Sequence, residues 1–227
     1  MPQSGQPLKH SDAQIEAIVS VPFYENTLVV RRGERADCLV VDPGLQPQLI
    51  LDYLDKEKLE PAAILNTHGH SDHIAGNGKM KERWPDSPLV IGRGDAYKLT
   101  DPVGNLSAMH GLELISPEAD QLVDEGDVYS AAGFELEVLE IPGHSIGHVV
   151  FVWKSEAAPL VIGGDVLFQG SVGRTDFPDG DYHALVSGIR EKLFALPDDT
   201  IVIPGHGPAT TIGEEKRTNP VVGLHLG

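Results

Sequence analysis

Cysteine is nearly absent from the 227-residue sequence, in which Cys38 is the single example. This excludes an intramolecular disulfide, and it also excludes a structural zinc site built from several thiolates. Cys38 lies within an apolar run, so we expect a buried and unreactive thiol. A chain without disulfides suits a reducing compartment, which favours a cytoplasmic location.

Basic residues are also scarce, because 17 Lys and Arg face 34 Asp and Glu, for a net charge of −17. Proteins that bind DNA or RNA normally present a basic patch to the phosphates, and no such patch is visible. We therefore predict no nucleic-acid partner. Most of the acidity is interpreted as a solvated surface that favours solubility.

Long apolar runs are missing as well, so we predict no membrane partner. Residues 1–7 lack the basic and apolar pattern of a secretory signal, which again favours the cytoplasm. We expect residues 1–10 to be flexible and residues 1–227 to form one domain, because no linker separates two cores. The sequence does not indicate an oligomeric state.

Apolar periodicity predicts two strand-rich halves, each flanked by helices. This order favours the α+β class, with two mixed β-sheets packed face to face and helices on both outer faces, an αββα sandwich. The predicted strands are 15–21, 27–32, 37–41, 61–66, 89–91, 121–124, 128–130, 133–141, 148–153, 159–163 and 200–203, and the predicted helices are 46–58, 181–196 and 214–218.

The segment 68–73 reads His-Gly-His-Ser-Asp-His and directly follows the predicted strand 61–66. The carboxyl end of a strand is where open α/β sheets usually place their sites. Three His and one Asp within six positions are hard to explain by packing, whereas they are typical ligands of zinc and related metals. Ser71 and Asp72 also suit the N-cap and the first turn of a helix that begins here.

Three later turns repeat this theme, because each follows an apolar strand and places one metal-binding side chain beside glycine. A single Pro-Gly-His turn is weak evidence, but three such turns together with segment 68–73 predict a metal site. The turns span 141–145, 163–168 and 203–208, and their candidate ligands are His144, Asp165 and His206.

The complete series resembles the metallo-beta-lactamase superfamily over nearly the whole chain. The resemblance implies the αββα sandwich and two adjacent divalent metal ions, with zinc as the first choice and iron or manganese as alternatives. It assigns one ion to His68, His70 and His144, and the other to Asp72, His73 and His206, with Asp165 bridging both.

The same resemblance implies catalysis by a metal-bridging hydroxide, which Asp72 and Asp165 orient, in a binuclear hydrolase. It also favours Asp42 as the acceptor of a hydrogen bond from a metal-binding histidine, where a simple turn role is the alternative.

Segments 170–178 and 213–220 resemble the short members of the glyoxalase II branch, the hydroxyacylglutathione hydrolases. This implies a small-molecule thioester substrate such as S-lactoylglutathione. Arg174 and Lys216 are candidates for binding a substrate carboxylate, although both also fit as surface cations. The chain ends soon after Pro220, so we expect no C-terminal helical substrate domain.

Two alternatives stay open within the superfamily. A mononuclear iron persulfide dioxygenase shares the Gly-Arg-Thr-Asp-Phe stretch, but its last histidine segment usually departs from Pro-Gly-His-Gly-Pro. The other alternative is a lactonase or β-lactamase. RNA processing is disfavoured by the acidic charge, and a non-catalytic binding module would leave seven metal ligands without a use.

Overall fold

A mixed seven-stranded β-sheet forms the first half of the protein in the computed structural model, which describes residues 8–224. Its strands follow chain order, and the pairing changes from antiparallel to parallel at the fourth strand. The strands are β1 (Leu8–His10), β2 (Ala13–Ser20), β3 (Glu25–Arg32), β4 (Asp37–Val41), β5 (Glu60–Asn66), β6 (Leu89–Gly92) and β7 (Gln121–Val123). Between them lie α1 (Pro47–Glu57), α2 (Ser71–Ile74), α3 (Asn77–Arg83) and two 3-10 helices (Arg93–Leu99 and Ser107–His110).

The second half forms a mixed six-stranded sheet in the order β15-β14-β11-β10-β9-β8, in which only β11 and β14 run parallel to each other. Its strands are β8 (Val128–Ala131), β9 (Phe134–Glu140), β10 (Val149–Trp153) and β11 (Leu160–Gly164), then β14 (Ile201–Pro204) and β15 (Thr210–Thr211) after a small hairpin of β12 (Leu167–Phe168) and β13 (Ser171–Val172). The helices are α4 (Tyr182–Gly188), extended by a π-helical turn (Ile189–Leu193), and α5 (Ile212–Thr218).

Three apolar layers hold these elements together. The middle layer lies between the two sheets and includes the fully buried Phe151. One outer layer packs Ile50 of α1 and Met80 of α3 against the first sheet, and the other packs Leu185 of α4 and Ile212 of α5 against the second. This arrangement confirms the predicted αββα sandwich.

Two local expectations were wrong. Residues 8–10 were expected to be flexible, but they form β1, because Leu8 and His10 pair with β2 and His10 Nε2 lies 2.6 Å from the Ala158 carbonyl oxygen. The rest of that prediction, residues 1–7, lies outside the described residues. At α2, the N-cap is His70 and not Ser71, and it makes no side-chain capping hydrogen bond, whereas Asp72 lies in the first turn as expected.

Cys38 is fully buried in β4, as expected, and burial raises the pKa of its thiol to about 12. No helix in the described part of the chain combines the length and the apolar character that crossing a membrane requires.

The fold gathers several strand ends at one edge of the sandwich. Segment 68–73 follows β5, and Asp42 follows β4, its parallel neighbour. Asp165 and His206 follow the parallel pair β11 and β14. His144 lies in the turn between β9 and β10. Residues that are distant in sequence therefore meet where the two sheets face each other.

Candidate metal centre

The first group of donor atoms consists of three buried imidazole nitrogens from two turns. His68 Nε2 lies 3.1 Å from His70 Nδ1, which lies 3.0 Å from His144 Nε2. Three ligands of a tetrahedral zinc ion lie about 3.3 Å apart, given zinc–nitrogen bonds of about 2.0–2.1 Å. The spacing of these nitrogens is therefore close to that of ligands around one cation.

The second group consists of one carboxylate and two imidazoles. His206 Nε2 lies 3.3 Å from His73 Nε2 and 3.4 Å from Asp72 Oδ2, and the latter two atoms are 3.8 Å apart. His73 is fully buried, whereas Asp72 and His206 are partly exposed to solvent. The second group therefore lies at the more open side of the centre.

Asp165 lies between the two groups. Its Oδ2 is 3.5 Å from His144 Nε2 and 3.4 Å from His206 Nε2, while its Oδ1 is 3.5 Å from His73 Nε2. Gly205 makes room for this carboxylate, because a Cβ atom at that position would collide with Asp165 Oδ1. One carboxylate thus reaches donors of both groups.

The donor atoms of the two groups are better satisfied by two divalent cations than by hydrogen bonds to one another. Imidazole nitrogens that face one another cannot all be donors, and Asp165 Oδ1 is buried without any hydrogen-bond donor. A cation in each group would satisfy these lone pairs. Imidazole and carboxylate ligands suit zinc, iron and manganese. All seven predicted ligands are close together, in the two predicted sets, although their binding of metal stays a prediction.

Asp42 supports one side of the centre from behind. It accepts hydrogen bonds from the Thr67 amide (2.8 Å) and hydroxyl (2.7 Å), and its Oδ2 lies 3.1 Å from His73 Nδ1. Thr67 Oγ1 in turn lies 3.1 Å from His68 Nδ1. The outer nitrogens of two histidines thus reach Asp42 directly or through one hydroxyl, an arrangement that fixes their tautomers and ring orientations.

Backbone carbonyl groups support the other side. His144 Nδ1 lies 2.9 Å from the Arg174 carbonyl oxygen, and His206 Nδ1 lies 3.1 Å from that of Phe23. In both residues the inner nitrogen is therefore free to bind a cation. His70 differs, because its outer nitrogen is buried without a partner.

Lys98 and Asp95 form a charged network behind the centre that the sequence did not predict. Both side chains are fully buried, with Lys98 Nζ 3.5 Å from Asp95 Oδ1 and 2.5 Å from Asp179 Oδ2. Asp95 also accepts hydrogen bonds from the amides of Gly69 (2.8 Å) and Gly147 (2.7 Å). It therefore ties the turn of His68 and His70 to the turn of His144.

Close packing at this network requires a glycine between the first two ligands. A Cβ atom at Gly69 would lie 2.6 Å from Lys98 Cβ. The sequence offered little warning of the network, because Asp95 and Lys98 lie in a mixed segment without apolar periodicity. The one available signal was their spacing of three residues, which places two side chains on the same face of a helical turn.

The two predicted substrate-binding cations have different surroundings. Arg174 lines a cavity of about 430 Å³ above the donor atoms, and its guanidinium pairs with Asp176. Lys216 does not line this cavity, and its Nζ lies 2.6 Å from Asp198 Oδ1. Substrate binding by either residue stays a prediction. His148, which had no assigned ligand role, accepts a hydrogen bond from the Asp165 amide at 3.0 Å.

The electrostatic environments of the two groups differ. Burial lowers the pKa of His68 and His70 well below the usual value for histidine, and it also lowers the pKa of His144. Burial has the same tendency at His73, but Asp165 and Asp72 outweigh it and raise the His73 pKa well above the usual value. The first group is therefore neutral at physiological pH, whereas the second attracts protons.

His206 and Asp165 share this charged environment. Burial opposes protonation of His206, but the hydrogen bond with Asp72 and the charge of Asp165 raise its pKa. Burial would raise the pKa of Asp165, but the nearby histidines, His73 first, lower it. Asp165 therefore carries a negative charge between the two groups.

Comparison with known proteins identifies related sequences and structures. The sequence profile of the metallo-beta-lactamase superfamily matches residues 21–206. The probable metallo-hydrolase YqgX of Bacillus subtilis (strain 168) is 41% identical over 184 residues, covering 81% of this chain and 86% of that protein. The hydroxyacylglutathione hydrolase GloC of Haemophilus influenzae (strain ATCC 51907 / DSM 11121 / KW20 / Rd) is 35% identical over 212 residues, covering 91% of this chain and 96% of that protein.

Two solved structures share the fold across most of this chain. The BLEG-1 B3 metallo-beta-lactamase superimposes with a TM-score of 0.87 and 34% identity, covering 92% of this chain and 99% of that chain. TTHA1623 in a di-iron-bound form superimposes with a TM-score of 0.76 and 36% identity, covering 90% of this chain and 98% of that chain.

Acidification should remove metal from the second group first. Protons compete for His73 and His206, whose pKa values are raised, whereas the pKa values of His68, His70 and His144 are lowered. We expect equilibrium dialysis in dilute zinc, from about pH 8 to about pH 5, to show two separate losses of metal. The variant His206→Ala should show only the loss at lower pH. A single loss, or the higher-pH loss retained in His206→Ala, would contradict this order.

Loss of the buried cation should destabilise the protein. In Lys98→Met, the buried Asp95 carboxylate loses the ammonium group beside it. We therefore expect a decrease of about 3–5 kcal/mol in the free energy of unfolding by urea. The matched control is Lys79→Met, whose ion pair with Glu82 is exposed, and for which about 1 kcal/mol or less is expected. Equal losses in the two variants would refute the structural role of Lys98.

Proposed function

The chain belongs to the metallo-beta-lactamase superfamily, and from this premise we propose that it is a binuclear metal-dependent hydrolase of thioesters such as S-lactoylglutathione. The observation that carries the proposal is the position of Asp165, whose carboxylate lies within 3.5 Å of donors from both groups. Similarity to a hydroxyacylglutathione hydrolase over 91% of the chain supports the choice of thioesters.

The seven donors divide between two cations, with zinc as the first choice and iron or manganese as alternatives. The similarity to a structure in a di-iron-bound form supports two adjacent ions. When bound, such ions would supply a hydroxide nucleophile at neutral pH and would polarise the substrate carbonyl group. The first ion would be held by His68, His70 and His144, the second by Asp72, His73 and His206, and Asp165 would reach both.

The protein contributes ionised acceptors close to the reacting group. Burial opposes ionisation of Asp72, but His73 and His206 lower its pKa, so Asp72 and Asp165 are both carboxylates at neutral pH. Such groups accept hydrogen bonds from a water molecule and orient its oxygen toward the substrate. Asp42 keeps the His73 ring in place. The departing thiolate has a conjugate acid with a pKa of about 8.5, so its departure requires little protonation.

Hydrolysis of a β-lactam is the second candidate, because the chain is 34% identical to a structure named as a B3 metallo-beta-lactamase. The same donors would serve this reaction, in which an amide bond of the ring breaks. Persulfide oxidation by a single iron with two histidines and one carboxylate is less compatible with the site. A mononuclear centre of that type leaves no function for the second donor group, which is complete here.

Metal content and substrate loss, measured on one preparation, test the proposal. We expect about two metal ions per chain and metal-dependent loss of the S-lactoylglutathione thioester absorbance. Oxygen uptake with glutathione persulfide and hydrolysis of a chromogenic β-lactam are measured in parallel. One iron per chain with oxygen uptake, or β-lactam hydrolysis without thioester loss, would overturn the assignment.

Removal of the shared carboxylate should abolish both metal binding and activity. We expect Asp165→Ala to retain well under one metal ion per chain and to lose about a thousandfold in kcat/KM, because metal ions stabilise such transition states by several kcal/mol. The exposed Asp199, which precedes β14 at the end opposite His206, provides the control Asp199→Ala. Full metal content in Asp165→Ala would show that the two sites do not share this residue.

A further inference from the structure

Beyond the donor atoms, the cavity of about 430 Å³ has mainly apolar walls, and its other polar lining residues are Ser71, His110, Ser171 and Arg174. Its volume lies within the range of small-molecule sites, about 300–1,000 Å³. Its floor contains His70, Asp72, His144, Asp165 and His206. The apolar residues of its walls are Phe23, Leu106, Met109, Phe168, Val172 and Phe177.

Two of these wall residues come from segments that carry no donor atom. Phe23 lies in the turn between β2 and β3. Met109 belongs to the second of the two 3-10 helices after β6, Ser107–His110. Both are well exposed, at 40% and 67% of their surface. A methionine side chain is flexible and polarisable, so it adapts to apolar ligands of different shapes. Such exposed apolar side chains around a catalytic floor are typical of a ligand-binding surface.

Positive charge is scarce in this cavity. Among its described lining residues, Arg174 is the one Lys or Arg. Its guanidinium donates two hydrogen bonds to Asp176, each 2.7 Å long, and lies 4.3 Å from the centre of the Phe177 ring. The donors of Arg174 that face Asp176 are thus already used. Lys98 is fully buried behind the floor and pairs with Asp95 and Asp179.

The scarcity of cations makes the cavity a poor match for the glutathione part of S-lactoylglutathione. This thiol arm of the thioester carries two carboxylates and one ammonium group. Each carboxylate would require a cation or several amide donors to replace its lost hydration. Asp176 would additionally repel a carboxylate that approaches Arg174. An uncharged alkyl arm, by contrast, would exchange water for contact with the apolar walls.

We propose that this cavity selects thioesters whose leaving thiol is uncharged and apolar over thioesters of glutathione, and that Met109 is a specificity-determining residue for this arm. The inference rests on the proposed thioesterase function and narrows its substrate class. The reaction is ordinary hydrolysis. A water oxygen bonds to the carbonyl carbon, the carbon–sulfur bond breaks, and the products are a carboxylate, a thiol and one proton.

A series of lactoyl thioesters isolates the contribution of the thiol arm. The metal-loaded protein is assayed with the esters of glutathione, 1-propanethiol and 1-pentanethiol. Each buried methylene is worth about 0.8 kcal/mol, or about fourfold, so the pentyl ester, which is longer by two methylenes, should exceed the propyl ester by about fifteenfold in kcat/KM. We expect both alkyl esters to exceed S-lactoylglutathione.

Substitution of the wall links this preference to the cavity. We expect Met109→Gln to reduce the pentyl-to-propyl ratio of kcat/KM from about fifteenfold to about threefold, because a polar amide replaces the apolar contact. The control is Val128→Gln, at a residue that is similarly exposed (60%) and does not line this cavity; it should keep the full ratio. A thioether analogue of the pentyl ester, titrated calorimetrically into the metal-free protein, should bind more tightly than its propyl counterpart, and this difference should also shrink in Met109→Gln.

The possible failures can be told apart. Hydrolysis of all three esters with S-lactoylglutathione as the best substrate would overturn the apolar selection and leave the thioesterase function intact. An unchanged pentyl-to-propyl ratio in Met109→Gln would overturn the role of that residue. Hydrolysis of none of the three esters would overturn the thioesterase function and the inference together.

Discussion

Mutual repulsion among the donor atoms is the constraint on which the rest of the structure depends. Imidazole nitrogens with lone pairs directed at one another lie only 3.0–3.1 Å apart in the first group. A chain that places them there must fix each ring from outside, because the inner atoms provide no attraction until a cation is bound. The αββα sandwich provides this support by bringing the carboxyl ends of β4, β5, β11 and β14 to one edge.

Two supports of opposite charge stand behind the donor groups. The Asp42 carboxylate contacts His73 and, through Thr67, His68. The Lys98 ammonium lies on the other side, where its charge adds to burial and to His144 in lowering the pKa of His70. The first group is therefore held as neutral imidazoles, while the second combines imidazoles with a carboxylate. This asymmetry follows from the scaffold and does not require two different metals.

The sequence predicted the donors because each lies in a short turn with glycine at the end of an apolar strand. Such turns occur at one edge of a sheet, so residues as distant as His68 and His206 could be placed together from pattern alone. Asp42 was predicted from the family resemblance, and its turn follows β4, the strand that pairs with β5. The assignment of strands succeeded because a short apolar run bounded by turn residues is a local signal, as in β6, β10 and β11, which are buried at every position.

The Lys98 network could not be predicted in the same way. A lysine in a mixed segment is normally a surface residue, and its burial depends on Asp179, which is 81 positions away in the chain. The edge strand β1 was missed because three residues carry too little periodicity, and its stability comes from pairing with β2. In both cases the deciding interaction joins segments whose proximity only the complete fold reveals.

The floor and the walls of the cavity are subject to different physical demands. The floor residues lie close to one another, so a change there disturbs several contacts at once, as at Asp165. The wall residues Phe23 and Met109 are exposed, and a hairpin turn and a loop helix carry them. Their substitution costs little stability, because exposed side chains contribute little to the core. The metal-binding floor is therefore tied to the scaffold, whereas the proposed selection of the thiol arm lies in segments that can change without loss of the fold.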